Sequence, residues 1–370
     1  MKVKKLTLFA IMALNIMSCK SNDASETSLV PAVSVKETSI VINEKVSRDF
    51  SLEITTNVPV VFNLPNWITE KDGNTSALGK KTYSFQANAL PEGTTLRTGD
   101  LTVKSADASL GVSIAIAVKQ SNELTNFRIA TYNILYENWE PRESMVIGLI
   151  KKYDFDIFGV QEAYQNPQLL SLTSDGTYAY TGTGYGNNVN SRVWYNAILY
   201  KKDRFELLNS GAFYLSETPD IPSVGWDDKN WYRNCSWGKF KDNISGSEFY
   251  VFNTHFASDG AIARRESAKL LLSKIKSIAG DSPVFAIGDY NLGPTGDAIQ
   301  TIVNDGLLRD SYIVTEKAPT GPVATCENGM RVDYIFVTKD IRVKEYGVLN
   351  DRPNGKSPSD HDPVLIVAEF

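Results

Sequence analysis

The sequence predicts an α+β protein in two parts, an all-β sandwich followed by a larger unit of two packed sheets with helices outside. Residues 31–120 alternate apolar and polar in short runs, with turn residues at roughly ten-residue spacing, which is typical of a small β-sandwich. From residue 127 onward, strand-like runs are mixed with helical segments and long loops. That mixture favours sheets packed face to face and covered by helices.

The N-terminal residues have the pattern of an export signal. Lys2, Lys4 and Lys5 precede the apolar run 6–17, which is too short to span a bilayer, and Cys19 follows closely. We therefore expect residues 1–18 to be a lipoprotein signal peptide, Cys19 to be acylated, and residues 19–30 to be a flexible tether. A free cysteine in a cleaved signal is the alternative. The exported protein would be anchored by lipid to the bacterial outer membrane, at its periplasmic face or the cell surface.

Residues 31–120 carry the sandwich prediction, and residues 121–126 are expected to be a linker. The predicted strands are residues 39–42, 50–54, 60–62, 82–85, 100–103 and 112–118. Segments 55–57, 65–68, 97–103 and 118–120 resemble the BACON domains of surface proteins in Bacteroidetes. That resemblance implies contact with a glycan, for which Trp67 could be a sugar platform. Core packing of Trp67, in a domain that acts as a spacer, is the alternative.

Charge is distributed unevenly between the two parts. Up to residue 122 there are 13 Lys and Arg against 11 Asp and Glu, and after it 25 against 32. An acidic second part does not favour non-specific binding of nucleic acid, which needs a basic face. It does suit a cleft that binds a cation. Cys235 and Cys326 could form one disulfide or remain two separate thiols.

The second part, residues 127–370, is predicted to contain two helices and at least seven strands. The helices are residues 142–153 and 261–279, the latter with an apolar face of 3.6-residue period. Residues 182–190, rich in Gly and Asn, are expected to form a mobile loop. The predicted strands are residues 127–132, 156–160, 197–200, 249–254, 284–287, 334–338 and 364–369.

Polar stretches stand at the ends of these strands and suggest one assembled site. Both histidines of the chain are among them. Carboxylate and amide oxygens suit Mg²⁺, Mn²⁺ or Ca²⁺, and histidine suits proton transfer or phosphate contact near neutral pH. The stretches are Tyr132-Asn133, Gln161-Glu162, Asn253-Thr254-His255, Gly288-Asp289-Tyr290-Asn291, Arg331-Val332-Asp333-Tyr334 and Ser359-Asp360-His361-Asp362-Pro363.

Taken in order, these six stretches resemble the endonuclease/exonuclease/phosphatase family, which includes DNase I-like nucleases, neutral sphingomyelinases and inositol polyphosphate phosphatases. The resemblance covers residues 127–370. It implies a four-layered α/β sandwich that hydrolyses a phosphate ester with a divalent metal. It further implies Glu162 as the principal metal ligand with Asn133 and Asp360 nearby. Asp289 would orient or deprotonate the attacking water, and Asn291 would hold a phosphate oxygen or a water at the metal.

The resemblance also assigns roles to the histidines. His361 would act on the nucleophile or the phosphate oxygens, oriented by Asp333, and His255 would bind phosphate and assist the leaving group, with Asn253 also contacting substrate. A separate prediction concerns Arg233, which lies among aromatic residues and would contact the phosphate while an aromatic ring stacks on a base, sugar or headgroup. The aromatic residues are Trp226, Trp231, Tyr232 and Trp237.

Each of these residues also has a purely structural interpretation. Asp360 could cap a turn, Asp333 could pair with Arg331, Asn133 could be a satisfied amide at a strand end, and His255 could be a buried, hydrogen-bonded histidine. Together these interpretations are disfavoured, because both histidines fall inside the motifs.

The chain departs from the family pattern on one side of the predicted site. Ala257 stands where many bacterial relatives have an aspartate, and Trp194 where they often have a glutamate that would support the histidine matching His255. Asp259 could substitute for the missing aspartate. These departures leave a glycan-binding lipoprotein with a weakened catalytic domain as one alternative, and an extracellular nuclease as another. The preferred hypothesis is a monomeric, metal-dependent phosphodiesterase or phosphatase whose substrate is a sugar, inositol, headgroup or nucleotide phosphate.

Overall fold

The structure, a computed structural model, describes residues 30–42, 47–73, 78–121, 126–186 and 193–370. The predicted signal peptide, Cys19, residues 19–29 of the tether and most of the linker lie outside these ranges. Within them, no helix combines the length and the apolar character needed to cross a membrane.

The first part forms two four-stranded sheets, in the orders β1-β3-β6-β5 and β2-β8-β7-β4. Their inner faces share one apolar core that includes Leu52, Tyr83, Phe85 and Val103, as expected when alternate residues of each strand face inward. The strands are β1 (Val33–Val35), β2 (Ser39–Ile42), β3 (Arg48–Thr56), β4 (Val60–Asn63), β5 (Ile68–Glu70), β6 (Gly79–Ala87), β7 (Leu96–Ser105) and β8 (Ser113–Ser121).

Trp67 belongs to this core. Its side chain is 8% exposed, and the Arg97 guanidinium lies 4.3 Å from its ring centroid. A ring that is buried in the core, with a guanidinium over it, offers no open face to a sugar. The core interpretation of Trp67 therefore holds, and the sugar platform does not.

The second part contains a six-stranded sheet and a seven-stranded sheet. One has the order β11-β13-β10-β9-β21-β20, with β12 paired to β13, and the other the order β14-β15-β16-β17-β19-β18. The strands are β9 (Phe127–Asn133), β10 (Ile157–Ala163), β11 (Tyr178–Thr181), β12 (Gly184–Tyr185), β13 (Trp194–Lys201), β14 (Phe205–Tyr214), β15 (Asn234–Asp242), β16 (Glu248–His255), β17 (Val284–Asp289), β18 (Arg309–Asp310), β19 (Asp333–Val337), β20 (Arg342–Val348) and β21 (Val364–Glu369).

The two sheets pack face to face, and helices cover their outer faces. Phe127 and Ile157 of one sheet meet Phe249 and Phe285 of the other in a shared core. On the outer faces, α1 packs on the first sheet and α3 and α4 pack on the second. This is the predicted four-layered sandwich. The helices are α1 (Trp139–Tyr153), α2 (Leu170–Thr173), α3 (Ala261–Ala279), α4 (Asp297–Asn304) and α5 (Ser311–Val314).

Long periodic elements were predicted best. Helix α3 has the predicted bounds, and α1 begins at Trp139, three residues before the predicted start. In the second part, sequence reasoning missed β11, β12, β14, β15, β18, β20, α2, α4 and α5. In β14, half-exposed and exposed residues outnumber the buried ones, so the run lacks a clear apolar face, and its pairing with β15 alone defines it. Within the predicted loop 182–190, Gly184 and Tyr185 form β12, while residues from 187 onward are not among those described.

Cys235 and Cys326 are both free thiols, Cys235 buried in the core under α3 and Cys326 in the loop that pairs with His361. The structure therefore contains two separate thiols and no disulfide between Cys235 and Cys326.

Candidate functional site

The predicted site residues converge at one edge of the sandwich because strands in each sheet end there together. β9 runs parallel to β10 in one sheet, and β16 runs parallel to β17 in the other. Asn133 and Glu162 are at the carboxyl ends of the first pair, and His255 and Asp289 at those of the second. The Asn133 amide Nδ2 donates to Glu162 Oε1 at 3.3 Å and to Asp289 Oδ2 at 3.1 Å, which ties the two sheet edges together.

Local backbone irregularity aims two of these side chains. The pairing of β10 with β13 shifts register between Val160 and Ala163, and Glu162 within that bulge has φ of 60°. Asn291 has φ of 50°. Non-glycine residues in this left-handed region are uncommon and cluster where a side chain is held for function, and bulges commonly redirect a side chain next to a site.

Gly288 allows His255 and Asp289 to lie side by side. The φ of Gly288 is 150°, and a Cβ there would come within 2.1 Å of the Thr254 carbonyl oxygen on the neighbouring strand. Only glycine permits this approach. As a result His255 pairs in register with Asp289, and the distance from His255 Nε2 to Asp289 Oδ2 is 3.4 Å.

Asp289 is the centre of the hydrogen-bond network. Its Oδ1 accepts from the backbone N–H of Asn291 at 2.8 Å, and Asn291 in turn donates Nδ2 to the Phe256 carbonyl, leaving one amide hydrogen for another acceptor. Burial, followed by repulsion from Asp333, raises the pKa of Asp289 to about 7. A carboxylate of that pKa is suited to accept a proton from water near neutral pH.

His361 forms a pair with Asp333. Its Nδ1 lies 2.8 Å from Asp333 Oδ2, and its Nε2 lies 3.9 Å from Asp289 Oδ2. Burial lowers the pKa of His361, but Asp333, Asp289 and Asp360 together outweigh it and hold that pKa well above the usual value. The alternative partner of Asp333, Arg331, instead makes two hydrogen bonds to Asp310, at 3.0 and 2.6 Å.

One buried arginine, one exposed arginine and one serine hold the loop that carries Asp360 and His361. Arg142 donates Nη1 to the carbonyls of Ile134 and Pro358, at 2.9 and 2.6 Å, so helix α1 clamps this loop to the end of β9. Ser359 Oγ donates to the Asn133 carbonyl at 2.8 Å. Arg352 binds the Asp362 carboxylate with both Nη atoms, at 2.6 and 2.9 Å. The loop is thus fixed before any ligand binds.

The donor set fits a divalent cation. Burial raises the pKa of Glu162, and the neighbouring Asp360 raises it further. Ligand atoms of Asp289, Asp333 and His361 also lie within 4.8 Å of one another, but a protonated His361 offers no lone pair to a metal, so this group is better suited to the phosphate and the water. Buried carboxylates with raised pKa values are stabilised when a cation neutralises them, and oxygen donors are those that Mg²⁺, Mn²⁺ and Ca²⁺ prefer. Asn133 faces these carboxylates through its nitrogen, while its Oδ1 accepts from Leu135 N, so it orients Glu162 and Asp289.

Tyr185 is a site residue that sequence reasoning missed. It is fully buried, and its hydroxyl lies 3.2 Å from His255 Nδ1. If the hydroxyl donates, His255 carries its proton on Nε2, the nitrogen that faces Asp289. Burial, followed by Arg233 and His361, holds the pKa of His255 well below its usual value, so the ring is neutral.

Replacing Tyr185 by phenylalanine is expected to lower kcat about tenfold and to leave KM nearly unchanged, because the ring packing stays while the partner that orients His255 is lost. Tyr200→Phe is the matched control, since Tyr200 packs on Phe240 in the core between the sheets. Steady-state kinetics of both variants test this expectation, and equal values for Tyr185→Phe and the parent enzyme would contradict it.

The positions that depart from the family pattern are filled by aromatic packing. Trp194 is buried and stacks on Trp231, with ring centroids 4.0 Å apart and planes at 19°, and it meets the edge of Tyr185. Ala257 is buried, and Asp259 is exposed. Nδ1 of His255 has Tyr185 as its partner in place of the family's glutamate. The suggestion that Asp259 substitutes for the missing aspartate stays a prediction.

Arg233 lies beside these aromatic residues and is 5% exposed. Its Nη2 donates to Ser258 Oγ at 3.4 Å, whereas Nε and Nη1 have no hydrogen-bond partner among the described residues. Its charge influences both Glu162 and His255. Arg233 therefore lies at the site, as the sequence suggested.

Asn253 does not contact the site, and its predicted role in substrate binding is wrong. It is completely buried, donates Nδ2 to the carbonyls of Val160 and Ala197 at 3.0 and 2.8 Å, and accepts from Gln161 Nε2 at 2.7 Å. All three partners belong to the opposite sheet. A Cβ on Gly159 would come within 2.5 Å of the Asn253 side chain, so a glycine makes room for it. Asn253 joins the two sheets.

Asn253→Ala is expected to destabilise the fold by about 2–4 kcal/mol, because two buried carbonyls and one amide lose their partner. Thermal or urea unfolding measures this loss. Exposed Asn209→Ala, on β14, is the control and should change stability by less than about 0.5 kcal/mol. A variant of unchanged stability but raised KM would restore the substrate-binding interpretation.

The sequence and structure of this chain are similar to those of several known proteins. The model of the Endonuclease/Exonuclease/phosphatase family matches residues 130–361. A family protein from Bacteroides thetaiotaomicron has 35% identical residues, with a TM-score of 0.62, over 67% of this chain and 99% of its own. The mannosyl-6-phosphatase of the same species is 34% identical, with a TM-score of 0.61, over 66% of this chain and 100% of its own. An uncharacterised protein of Acanthamoeba polyphaga mimivirus is 29% identical over 62% of this chain and 92% of its own length.

Proposed function

Because this chain belongs to the endonuclease/exonuclease/phosphatase family, whose members are hydrolases acting on phosphate esters, we propose that it is a divalent-metal-dependent phosphatase that acts on a phosphorylated sugar. The observation that carries the proposal is the convergence of Glu162, Asp289, Asp333 and Asp360 around His361 at a single sheet edge. Such a cluster of carboxylates beside a histidine, with Asp289 and Asp333 buried and Glu162 and Asp360 half-buried, is suited to phosphoryl chemistry.

In this proposal Glu162 and Asp360 would hold the cation, and Asn133 orients Glu162. A bound divalent cation would supply charge neutralisation for the phosphate oxygens. Asn133 reaches the carboxylates with its nitrogen, so its contribution is to fix their positions and not to donate an oxygen to the metal.

Asp289 accepts a proton from the attacking water, whose oxygen forms the new bond to phosphorus as the ester P–O bond breaks. The raised pKa of Asp289 and its hydrogen bonds to Asn133 and Asn291 support this role. His361, protonated and oriented by Asp333, donates from Nε2 to a phosphate oxygen, and Asn291 offers its second amide hydrogen. His255, neutral with its proton on Nε2, faces the same phosphate and donates a hydrogen bond to the departing sugar oxygen, which takes a proton from bulk water and leaves as the alcohol.

A phosphomonoester of a sugar is the favoured substrate. The relative that is 34% identical over its whole length is named a mannosyl-6-phosphatase. The second part of the chain carries a net negative charge, which does not favour a long nucleic acid.

The test measures hydrolysis by the purified full-length protein. The products are inorganic phosphate from the monoesters, nitrophenol from bis-p-nitrophenyl phosphate, phosphocholine from sphingomyelin and nicked or fragmented DNA from the plasmid. Mannose 6-phosphate, glycerol 2-phosphate, bis-p-nitrophenyl phosphate, sphingomyelin and plasmid DNA are supplied in turn with Mg²⁺, Mn²⁺ or Ca²⁺, each with and without EDTA. We expect metal-dependent turnover that is fastest with the sugar phosphate. Faster cleavage of DNA would favour the nuclease. Absence of turnover on every ester would favour the glycan-binding module.

We also propose that the protein is an exported lipoprotein, anchored through Cys19 to the outer membrane, with a BACON-like spacer (31–120) before the catalytic domain (127–370). The basic start, the apolar run 6–17 and the cysteine after it support this proposal. Partition of the protein into the detergent phase, lost in Cys19→Ser, is the expected result. A Cys19→Ser variant that still partitions with detergent would argue against the anchor.

A further inference from the structure

The ion pair between Asp228 and Arg233 is incomplete. Asp228 Oδ2 and Arg233 Nε are 3.7 Å apart, and the two side chains are 6% and 5% exposed. Asp228 Oδ2, Arg233 Nε and Arg233 Nη1 have no hydrogen-bond partner among the described residues. Buried polar atoms without partners are costly, so this arrangement is suited to a polar group from outside.

An aromatic surface adjoins this pair. Trp231 is half-buried and stacks on buried Trp194, and the Arg233 guanidinium carbon lies 5.8 Å from the Trp231 ring centroid. The backbone N–H of Tyr232 donates to the Gly186 carbonyl at 3.0 Å, which ties this segment to the residue after Tyr185. This segment, with Asp228, Trp231 and Arg233, therefore lies next to the reaction centre.

The chemistry of the pair selects among ligands. A phosphate oxygen can only accept, and the Asp228 carboxylate would repel it; an ammonium group can only donate, and Arg233 would repel it. A hydroxyl group can donate to Asp228 Oδ2 and accept from Arg233 Nε or Nη1 at the same time. A ring that carries hydroxyls on its edge and C–H groups on its face would also use Trp231.

We propose that Asp228, Arg233 and Trp231 form a subsite for the polyhydroxylated ring of the substrate, a pyranose or an inositol. This inference rests on the proposed function and adds the residues that bind the ring of the substrate. Asp228 and Arg233 bind one ring hydroxyl between them, Trp231 covers a ring face, and the phosphate extends to His361 and the metal ligands. The phosphate contact predicted for Arg233 from the sequence stays a separate prediction.

The test compares kcat/KM for a hexose 6-phosphate, inositol 1-phosphate and glycerol 2-phosphate in Asp228→Asn, Trp231→Ala and Trp231→Phe. For Asp228→Asn and Trp231→Ala we expect a loss of about 10- to 100-fold on the ring substrates, mostly in KM, and a much smaller loss on glycerol 2-phosphate. Trp231→Phe should recover part of the loss. Asp220→Asn is the control, because Asp220 has a 90% exposed side chain.

Equal losses on ring and non-ring substrates would overturn the subsite, since they indicate a structural role. So would a preference for AMP that depends on Trp231 and not on Asp228, because stacking of a nucleobase would explain it. Calorimetric titration of hexose 6-phosphate into His361→Ala, with and without Asp228→Asn, measures binding without turnover. Affinity that is unaffected by Asp228→Asn would reject the subsite even if the proposed function holds, whereas a parent enzyme without any phosphate release would reject the function.

Discussion

Replacing His361 by alanine is expected to lower kcat for phosphate-ester hydrolysis by about 10³-fold or more. The ring lies between Asp333, at 2.8 Å, and Asp289, at 3.9 Å, where it serves both the phosphate and the network around the attacking water. Phosphate release from a sugar phosphate at saturating Mg²⁺ measures the loss. Asp333→Asn, which keeps a partner for Nδ1 but removes the charge, should show a smaller decrease.

Comparing His255→Ala with His361→Ala shows how much each histidine contributes to hydrolysis. The departures at Ala257 and Trp194 remove carboxylates from the side of the site where His255 lies, and its partner is a neutral hydroxyl, that of Tyr185. We therefore expect His255→Ala to lose less activity than His361→Ala. Thermal unfolding must accompany the kinetics, because His255 is buried and its removal leaves a cavity. Equal losses in two folded variants would reject this ranking.

Glu162→Gln is expected to raise the Mg²⁺ concentration needed for half-maximal activity by about 10- to 100-fold and to lower the maximal rate. The substitution preserves shape but removes the charge of a half-buried carboxylate that stands in the bulge of β10 and interacts electrostatically with Asp360. Titration of activity against Mg²⁺ and calorimetry of Mg²⁺ binding both measure the change. Glu206→Gln, exposed on β14, is the control. An unchanged Mg²⁺ titration in Glu162→Gln would show that Glu162 does not hold the metal.

The sequence allowed much of the site to be predicted because its signals are local. Glu162, Asp289 and Asp333 each stand at the end of an apolar strand, and strands that run parallel in one sheet bring such ends together. The same local patterns predicted α3 and the core strands. Strand β14 was missed because it takes its conformation from pairing with β15, and not from its own residue pattern.

Asn253 and Tyr185 show where local signals fail. Asn253 is two residues before His255, so both point into the space between the sheets, but a strand rises about 3.3 Å per residue and places Asn253 deeper, away from the edge. Tyr185 is 70 residues from His255 in the chain and follows a Gly-rich segment without any local pattern. Only the pairing of β12 with β13 brings its hydroxyl to the histidine.

Glu162, Asp289 and His361 are proposed to carry out the metal-dependent hydrolysis of a sugar phosphate. The most direct measurement is phosphate release from mannose 6-phosphate by the EDTA-treated protein as Mg²⁺ is added back, with Glu162→Gln and His361→Ala run in parallel. We predict no release in EDTA, saturable recovery with Mg²⁺ in the parent protein, a shifted titration in Glu162→Gln and no recovery in His361→Ala. Release that persists in EDTA, or that is equal in all three proteins, would contradict the claim.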